Sequence, residues 1–157
     1  MEKRVTAEIR HKPTPPEETW LNLQRLAEVE ITSEEPKYQV ESALLPGGKR
    51  GWRAGEPGEQ LIRLIFNEPQ GLRRIRLHFL ETERERTQEI ALKWSPDGGK
   101  TYYEIVRQQW NFSPEGSTEE VEDYHVELAG VTVLELTIIP DIRKGDARAT
   151  LASMRLA

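Results

Sequence analysis

The chain has 157 residues, 36% hydrophobic and 31% charged, with a net charge of −5 and an isoelectric point near 5.4. This acidic balance argues against non-specific nucleic-acid binding, and the absence of cysteine excludes disulfides and thiolate chemistry. No apolar run is long enough to span a bilayer, and the N-terminal residues lack the apolar segment of a secretion signal. We therefore expect a cytoplasmic protein with no nucleic-acid or membrane partner.

The N-terminal part of the chain predicts an extended arm, residues 1–20, attached to a single domain over residues 21–157. Within the arm, Val5–Arg10 alternates as an edge strand does, and the prolines that follow it exclude a helix. Glu17–Leu26 and Val40–Leu45 each have room for one short helical turn. The arm is therefore not expected to carry a core of its own.

Eight segments of alternating apolar and polar residues predict strands. They are Leu26–Ser33, Gln60–Phe66, Leu72–Leu80, Gln88–Ser95, Thr101–Phe112, Glu120–Leu128, Thr132–Ile139 and Thr150–Leu156. From Gln60 onward no gap has room for a crossover helix, so neighbouring strands must pair antiparallel. The fold class is therefore all-β, an eight-stranded antiparallel β-sandwich of the jelly-roll type with under about 15% helix.

The connections between these strands alternate in length. Those after the second, fourth and sixth strands are tight, whereas four others are longer: Glu34–Glu59, Glu81–Thr87, Ser113–Glu119 and Pro140–Ala149. Because every connection reverses the chain, the longer ones should gather at one end of the sandwich. These four are called the rim loops below. Loops held on a rigid scaffold are where sandwich folds place their binding sites.

Four segments follow a recognisable family pattern in order and spacing. They are Ala43–Gly48 leading to Trp52, the strands Leu61–Phe66 and Ile75–Phe79, and the hairpin Ser95–Tyr102. Through them, the region from roughly Ser42 to Ala157 resembles the discoidin, or coagulation factor 5/8 C-type, superfamily of galactose-binding-like jelly rolls. The resemblance implies binding without catalysis: extracellular members bind glycans or lipids, and intracellular ones bind proteins.

The resemblance also bears on metal binding. Many members of the superfamily hold a structural calcium ion near the first of these segments. Here Pro46 stands where the family places an aspartate, so we expect neither calcium nor any other metal or cofactor. The hairpin Ser95–Tyr102 also fits the Asp-box pattern, which we interpret as a structural turn because its Asp and Gly residues suit turn geometry.

Seven residues on or beside the rim loops form the candidate ligand-binding site. They are Arg50, Arg53, Arg84, Arg86, Trp110, Asn111 and Arg143. Guanidinium groups suit carboxylates, hydroxyl pairs and phosphates, although solvated surface charge balanced by neighbouring glutamates also explains these arginines.

The aromatic residues near the rim have two interpretations as well. Trp110 beside Asn111 fits sugar recognition, in which a ring stacks on the sugar and an amide bonds its hydroxyls. The alternative, which we favour, is that Trp110 packs into the core and only Asn111 points outward. Trp52 is expected to pack inward, and Trp94 to be buried on the face of Ile90.

The sequence shows no catalytic or metal-binding set. His11, His78 and His125 lack ligand spacing, and no Ser, His and Asp combination suggests a nucleophile. The leading hypothesis is a non-catalytic carbohydrate-binding-like module with a glycan on the rim loops. The alternative is a cytoplasmic protein-interaction or assembly module of the same fold, with a protein partner. An enzyme with an acid/base pair among the rim carboxylates ranks third.

Overall fold

In the computed structural model, residues 20–157 are described, and they are 56% strand and 6% helix. The short helices are α1 (Leu23–Leu26) and α2 (Glu41–Leu44). The strands are β1 (Ala27–Ile31), β2 (Trp52–Arg53), β3 (Gln60–Leu80), β4 (Arg86–Ser95), β5 (Tyr103–Phe112), β6 (Glu119–Ile139), β7 (Thr150–Leu151) and β8 (Ser153–Leu156). The predicted all-β class is confirmed.

Neither helix is long and apolar enough to cross a membrane. The predicted strand Val5–Arg10 lies outside the described residues.

Two strands of 21 residues each, β3 and β6, run through both layers of the sandwich. They pair antiparallel from Gln60 opposite Ile138 to Leu80 opposite Glu119, with register shifts between residues 65 and 74. The start of β3 lies between β1 and the end of β6, which continues through β4 to β5. The end of β3 lies between the start of β6 and β8. All these pairs are antiparallel.

The register shifts mark a fold-over of the β3–β6 ladder. In the first half of β3 the buried side chains include Ile62 and Leu64, and in the second half they include Ile75 and Leu77. The buried positions thus change from even to odd numbers across the shifts, and both sets belong to one hydrophobic core. The two halves of the ladder therefore face each other across that core.

The predicted division into strands is corrected at two places. The tight connections 67–71 and 129–131 are bends inside β3 and β6, so four predicted strands are halves of two long ones. Conversely, Thr150–Leu156 is interrupted at Ala152, and β2 is an additional short strand. Within residues 20–157 the total is eight strands, the number predicted. The helical turns expected within Glu17–Leu26 and Val40–Leu45 appear as α1 and α2.

Trp94 is only half-buried, which corrects its predicted burial. Trp94 keeps the face of Ile90 and packs against the edge of the core, but it lies one residue before the end of β4, where the β4–β5 ladder shifts by one residue on β5. The indole then lies against Tyr103, at a ring-centroid distance of 5.5 Å, and Tyr103 itself is 52% exposed. Trp52, by contrast, is 1% exposed, as predicted.

The outer face of β3 is less exposed to solvent than its charged residues suggest. Arg74 is buried, although it alternates with apolar residues of β3: its guanidinium donates to both carboxylate oxygens of Asp123, with Nε 2.7 Å from Oδ1. Its guanidinium carbon also lies 5.0 Å from the ring centroid of Trp20, which is 8% exposed. Trp20, the last residue of the predicted arm, thus packs on the sandwich.

The hairpin between β4 and β5 has the turn structure expected of it. Asp97 Oδ1 accepts bonds from the Ser95 hydroxyl at 2.7 Å and from the Thr101 backbone N–H at 2.8 Å. The Ser95 bond is the main reason that the pKa of Asp97 is lowered to about 2. Gly98 and Gly99 adopt φ values of 75° and 96°, which only glycine accepts readily. The motif is a structural turn.

The loop that corresponds to the family's calcium loop is held by an arginine. Arg155 Nη1 lies 2.9 Å from the Ala43 carbonyl oxygen, and Nη2 lies 3.2 Å from that of Leu45. Ala43 lies in the last turn of α2 and Leu45 directly follows it, where helix carbonyls lack partners within the helix. Within residues 20–157, no group of three or more His, Asp or Glu side chains is placed to hold a metal ion. The guanidinium thus supplies a positive charge at this loop.

We predict that calcium leaves the melting temperature unchanged relative to chelator, as measured by differential scanning fluorimetry. Arg155→Met should lower the free energy of unfolding by about 1–3 kcal/mol, because it removes charge-assisted bonds to carbonyls. Arg73→Met, at an exposed position, is the matched control and should have little effect. A calcium-induced rise of several degrees would contradict the expectation.

We also predict that Trp52→Ala costs about 3–5 kcal/mol in urea melts, since it empties a fully packed site. Trp94→Ala should cost clearly less, because its indole already has access to solvent. Equal costs for the two substitutions would show that Trp94 is packed as fully as Trp52.

Candidate functional site

Three of the four rim loops converge on a cleft of about 510 Å³, called the rim cleft below. Its lining residues are Glu35, Tyr38, Arg50, Trp52, Arg53, Leu80, Glu81, Thr82, Glu83, Arg84, Asp146, Arg148, Thr150, Leu151 and Ala152. The remaining rim loop, Ser113–Glu119, lies next to it, since the Glu81 backbone N–H donates to the Thr118 carbonyl at 2.8 Å. The longer connections therefore do gather at one end.

The floor of the rim cleft is the small sheet formed by β2 and β7, in which Trp52 pairs with Leu151. The Trp52 indole N–H donates to the Ser33 carbonyl at 3.0 Å, which anchors the floor to the chain after β1. Gly51 has a φ of 70°, and a Cβ there would lie 2.7 Å from the Leu151 carbonyl oxygen. Only glycine therefore lets the loop approach β7 this closely.

Arg86 lies beneath the cleft and not in it, which corrects its assignment as a ligand-binding residue. Its side chain is fully buried, with Nε 2.7 Å from Glu81 Oε1. Nη1 donates to the Gln88 side-chain oxygen at 2.6 Å and to the Pro140 carbonyl at 2.8 Å. The guanidinium carbon is also 4.9 Å from the Phe112 ring centroid. Arg86 thus joins two rim loops from inside.

Glu81 is the charge partner of this buried guanidinium. Burial alone would raise the pKa of Glu81, but the bond from Arg86 and backbone N–H donors at Glu83 and Arg84 outweigh it. The pKa of Glu81 is therefore lowered, and the carboxylate stays ionised at neutral pH.

Exposed arginines and carboxylates form the walls of the rim cleft. Arg148 Nη1 lies 2.6 Å from Glu35 Oε1, while Arg53 Nη1 lies 3.6 Å from Glu35 Oε2. The Arg53 guanidinium carbon also stands 4.3 Å from the centroid of the Tyr38 ring. Its side chain is 40% exposed, so it remains available to a ligand. None of the ion pairs found in residues 20–157 involves Arg50, which is exposed.

A further pair closes the other side of the cleft. Arg84 Nη1 lies 2.8 Å from Asp146 Oδ1, and this bond lowers the pKa of Asp146. Both side chains are exposed, so the pair is worth little in stability. It links the second rim loop to the fourth across solvent.

Besides Arg86, three more of the predicted site residues lie outside the rim cleft. Trp110 packs inward on Phe79, at a centroid distance of 5.3 Å, as the favoured alternative had it. Its buried indole N–H has no hydrogen-bond partner among the described residues. Asn111 is exposed on β5, where its side-chain oxygen accepts a bond from the Thr87 hydroxyl at 2.5 Å. Arg143 is exposed and pairs with Asp141 of its own loop at 3.3 Å.

Sequence analysis found Arg50, Arg53 and Arg84 but missed Glu35, Tyr38 and Arg148. An available signal was position: Arg148 sits just before the last predicted strand, at the base of a rim loop. No comparable signal marks Glu35 or Tyr38, because both lie in an irregular stretch whose path the alternation does not define.

One carboxylate pair away from the cleft bears on the enzyme hypothesis. Burial raises the pKa of Glu122 to about 7, and a hydrogen bond with Glu120 adds to the shift. Both residues lie in the first half of β6, which pairs only with β3, and neither lines the rim cleft. This carboxylate pair is therefore not part of the rim cleft.

No family model matches the chain, and no curated protein sequence matches it significantly. Solved structures do. The family 32 carbohydrate-binding module of NanJ from C. perfringens, in complex with galactose, superposes with a TM-score of 0.63, 12% identity, and coverage of 87% of this chain and 96% of that one. The chain has the fold of these galactose-binding-like jelly rolls.

Two further structures give the same result for this jelly roll. The CBM32-5 module from Clostridium perfringens, in complex with GalNAc-β-1,3-galactose, has a TM-score of 0.64 at 15% identity and covers 87% of this chain and 98% of that one. The CBM32 of AlyQ, in complex with 4,5-unsaturated mannuronic acid, has a TM-score of 0.61 at 11% identity. The match covers 84% of this chain and 95% of that one. The superfamily resemblance predicted from sequence is confirmed at the level of fold.

We predict that Arg86→Met lowers the free energy of unfolding by about 3–5 kcal/mol, because it leaves the partly buried Glu81 carboxylate without its counter-charge. The double variant Arg86→Met/Glu81→Leu should recover much of this loss. Urea melts of the two variants measure the difference. If Arg86→Met lowers the free energy of unfolding by less than about 1 kcal/mol, the ion pair does not stabilise the rim loops.

The same pair predicts a pH dependence. Since the folded pKa of Glu81 lies below its unfolded value, its stabilisation is present above the ordinary glutamate pKa and is lost as the pH falls through the folded value. Glu81→Gln should therefore flatten the acid limb of stability against pH.

Proposed function

We propose that this jelly roll is a non-catalytic carbohydrate-binding module whose ligand occupies the rim cleft. The observation that carries the proposal is the cleft itself: three rim loops surround a rigid floor and present exposed guanidinium and carboxylate groups. Sugar hydroxyls both donate and accept hydrogen bonds, so neighbouring hydroxyls suit a wall that offers donors and acceptors together.

The solved structures support the proposal from a second side. The modules named above are described in complex with galactose, with GalNAc-β-1,3-galactose and with an unsaturated mannuronic acid. Another similar structure, at a TM-score of 0.59, is described as a pectin-binding module. Saccharides of this size fit a cleft of about 510 Å³.

The alternative is a cytoplasmic protein-interaction module that uses the same cleft. It is favoured by the charged character of the cleft walls, since acidic and basic side chains of a partner would pair with them equally well. Binding experiments with sugars and with proteins separate the two functions.

We predict weak sugar binding, with a Kd of about 1 mM, which corresponds to about −4 kcal/mol. In NMR titrations, shifts should map to the rim cleft. Arg53→Gln should weaken binding about tenfold without lowering the melting temperature, because its partly exposed side chain makes only one long ion pair, 3.6 Å from Glu35.

The controls use residues outside the cleft. Asn111→Ala and Arg143→Gln should leave sugar binding unchanged. Shifts that map to β5 around Asn111 would relocate the site. If no sugar in an array or titration binds, and a partner protein captured by the wild type is lost in Arg53→Gln, the interaction-module alternative replaces the proposal.

A further inference from the structure

Two edge strands of the sandwich meet without a backbone ladder between them. β5 pairs with β4, and the first half of β6 pairs with β3, so side chains join β5 to this half of β6. The Tyr124 hydroxyl on β6 donates to the side-chain oxygen of Gln108 on β5. The β5–β6 seam, as it is called below, consists of this bond and the inward-facing residues beside it: Trp110, Glu120 and Glu122. Because the ladders lie elsewhere, the seam can part while both of them stay intact.

The inner face of this half of β6 carries two carboxyl groups among its core-facing side chains. Glu120 and Glu122 are half-buried and share that face with Tyr124, which packs against the core. On β3 they lie opposite Phe79 and Leu77, both fully buried. Burial raises the pKa of Glu122 from its ordinary value of 4.5 to about 7, and a hydrogen bond with Glu120 adds to the shift. A bond between two carboxyl groups requires that one of them keeps its proton.

The strands packed against these carboxyl groups bring no counter-charge from within the described residues. β3 presents apolar side chains, and β5 presents Gln108 and Trp110, which carry no charge. β4 turns Arg86 toward the core, but its guanidinium is paired with Glu81. On β6 itself, Tyr124 is the other titratable group of the inner face, and burial, together with the two carboxylates, raises its pKa.

The remaining charged residues of these strands lie on the opposite, outer face. On this half of β6 they are Glu119, Asp123, His125 and Glu127, all exposed. On β3, Arg74 is bonded to Asp123, and His78 Nε2 lies 2.9 Å from Glu119 Oε2. Their bonds are made across the outer face, so they do not compensate a charge inside the seam.

Trp110 adds a second unmet requirement to the seam. Its ring centroid lies 5.3 Å from that of Phe79, the ladder partner of Glu120, and its buried indole N–H has no partner among the described residues. Its cross-strand neighbour Gln88 is 0% exposed and also has an unpaired side-chain nitrogen. Buried donors without an acceptor cost free energy, which access to water recovers.

We propose that the β5–β6 seam is a pH-dependent closure, which is shut while Glu120 and Glu122 share a proton and opens when both are ionised. Two like charges on neighbouring inward positions repel each other, and a carboxylate without a counter-charge needs water. Apolar partners on β3 and neutral groups on β5 do not replace that water, so hydration requires this half of β6 to move away from β5. The same movement brings water to the Trp110 indole N–H.

The sign of the pH dependence follows from the same pair. Since the folded pKa of Glu122 lies above its ordinary value of 4.5, the stabilisation of the closed seam is present below that value and is lost as the pH rises through about 7. This sign is opposite to that of Glu81, whose contribution is lost on acidification. The direction of the change therefore distinguishes the two carboxyl groups.

The experiment measures hydrogen exchange of the indole N–H groups of the full chain by NMR, corrected for the intrinsic pH dependence of exchange. Trp110→Phe assigns the Trp110 signal. Because a difference of one in pKa is tenfold in an equilibrium and Glu122 is only partly buried, Trp110 should exchange at least about tenfold faster at about pH 8 than at about pH 5. Trp52, whose indole N–H donates to the Ser33 carbonyl at 3.0 Å, is the internal control and should show no such change.

Three variants make the test specific. Glu122→Gln keeps the size and hydrogen bonding of the side chain but cannot ionise, so Trp110 should exchange slowly at every pH. Glu120→Gln removes the repelling charge and should reduce the change with pH. Glu127→Gln removes a carboxylate from the exposed outer face of the same strand; it is the matched control and should keep the wild-type pH dependence.

Three results would overturn the inference. The first is corrected exchange of Trp110 that does not vary with pH in the wild type. The second is equal acceleration at Trp52, because the core as a whole would then be loosening. The third is wild-type pH dependence in Glu122→Gln, which would assign the titration to another group. Neither carboxyl group lines the rim cleft, so these results leave the proposed function untouched.

Discussion

The buried ion pair between Arg86 and Glu81 fixes the relative position of two rim loops, Glu81–Thr87 and Pro140–Ala149. A guanidinium removed from water must have its donors satisfied, and the acceptors of Arg86 are two residues close to it in sequence, Glu81 and Gln88, and one 54 residues away, Pro140. Glu81 begins one rim loop, Gln88 lies on β4, and Pro140 begins another rim loop. The hydrogen bonds of the buried Arg86 side chain therefore hold these segments together beneath the rim cleft. They fix the base of the loops that carry the exposed arginines.

Much of the fold follows from alternation along the sequence, and its errors have one physical origin. Period-two patterning indicates where a strand lies and which side chains are buried, but it carries no information on what the strand pairs with. A turn between two strands and a bend within one strand use the same residues, as in Asn67–Gly71. The fold-over of β3 and β6 was therefore interpreted as two hairpin connections. The extra residue on β5 that shifts its register with β4 escaped prediction because one added residue leaves no compositional trace.

The sequence predicted the position of the candidate site but only some of the residues that line it. Loop lengths alone identified the end of the sandwich where the cleft lies. Arg84 and Arg86 are chemically identical and two residues apart, yet one is exposed and the other fully buried. What separates them is contact with Pro140 and Thr150, more than fifty residues away in sequence. Arg148 and Glu35 face each other for the same kind of reason, since their pairing spans 113 positions.

The continuous ladder of β3 and β6 has a consequence for how the protein reaches its native state. Its pairs join positions as distant as Gln60 and Ile138, so the chain must close large loops before these contacts form. Only the β4–β5 hairpin between them is local. Such a high contact order places folding in the slow range of all-β domains, about milliseconds to seconds. The rim cleft is bordered by the connections that this ladder closes, so it is complete only when the late, long-range contacts are made. A partially folded state that lacks these contacts therefore has no formed rim cleft.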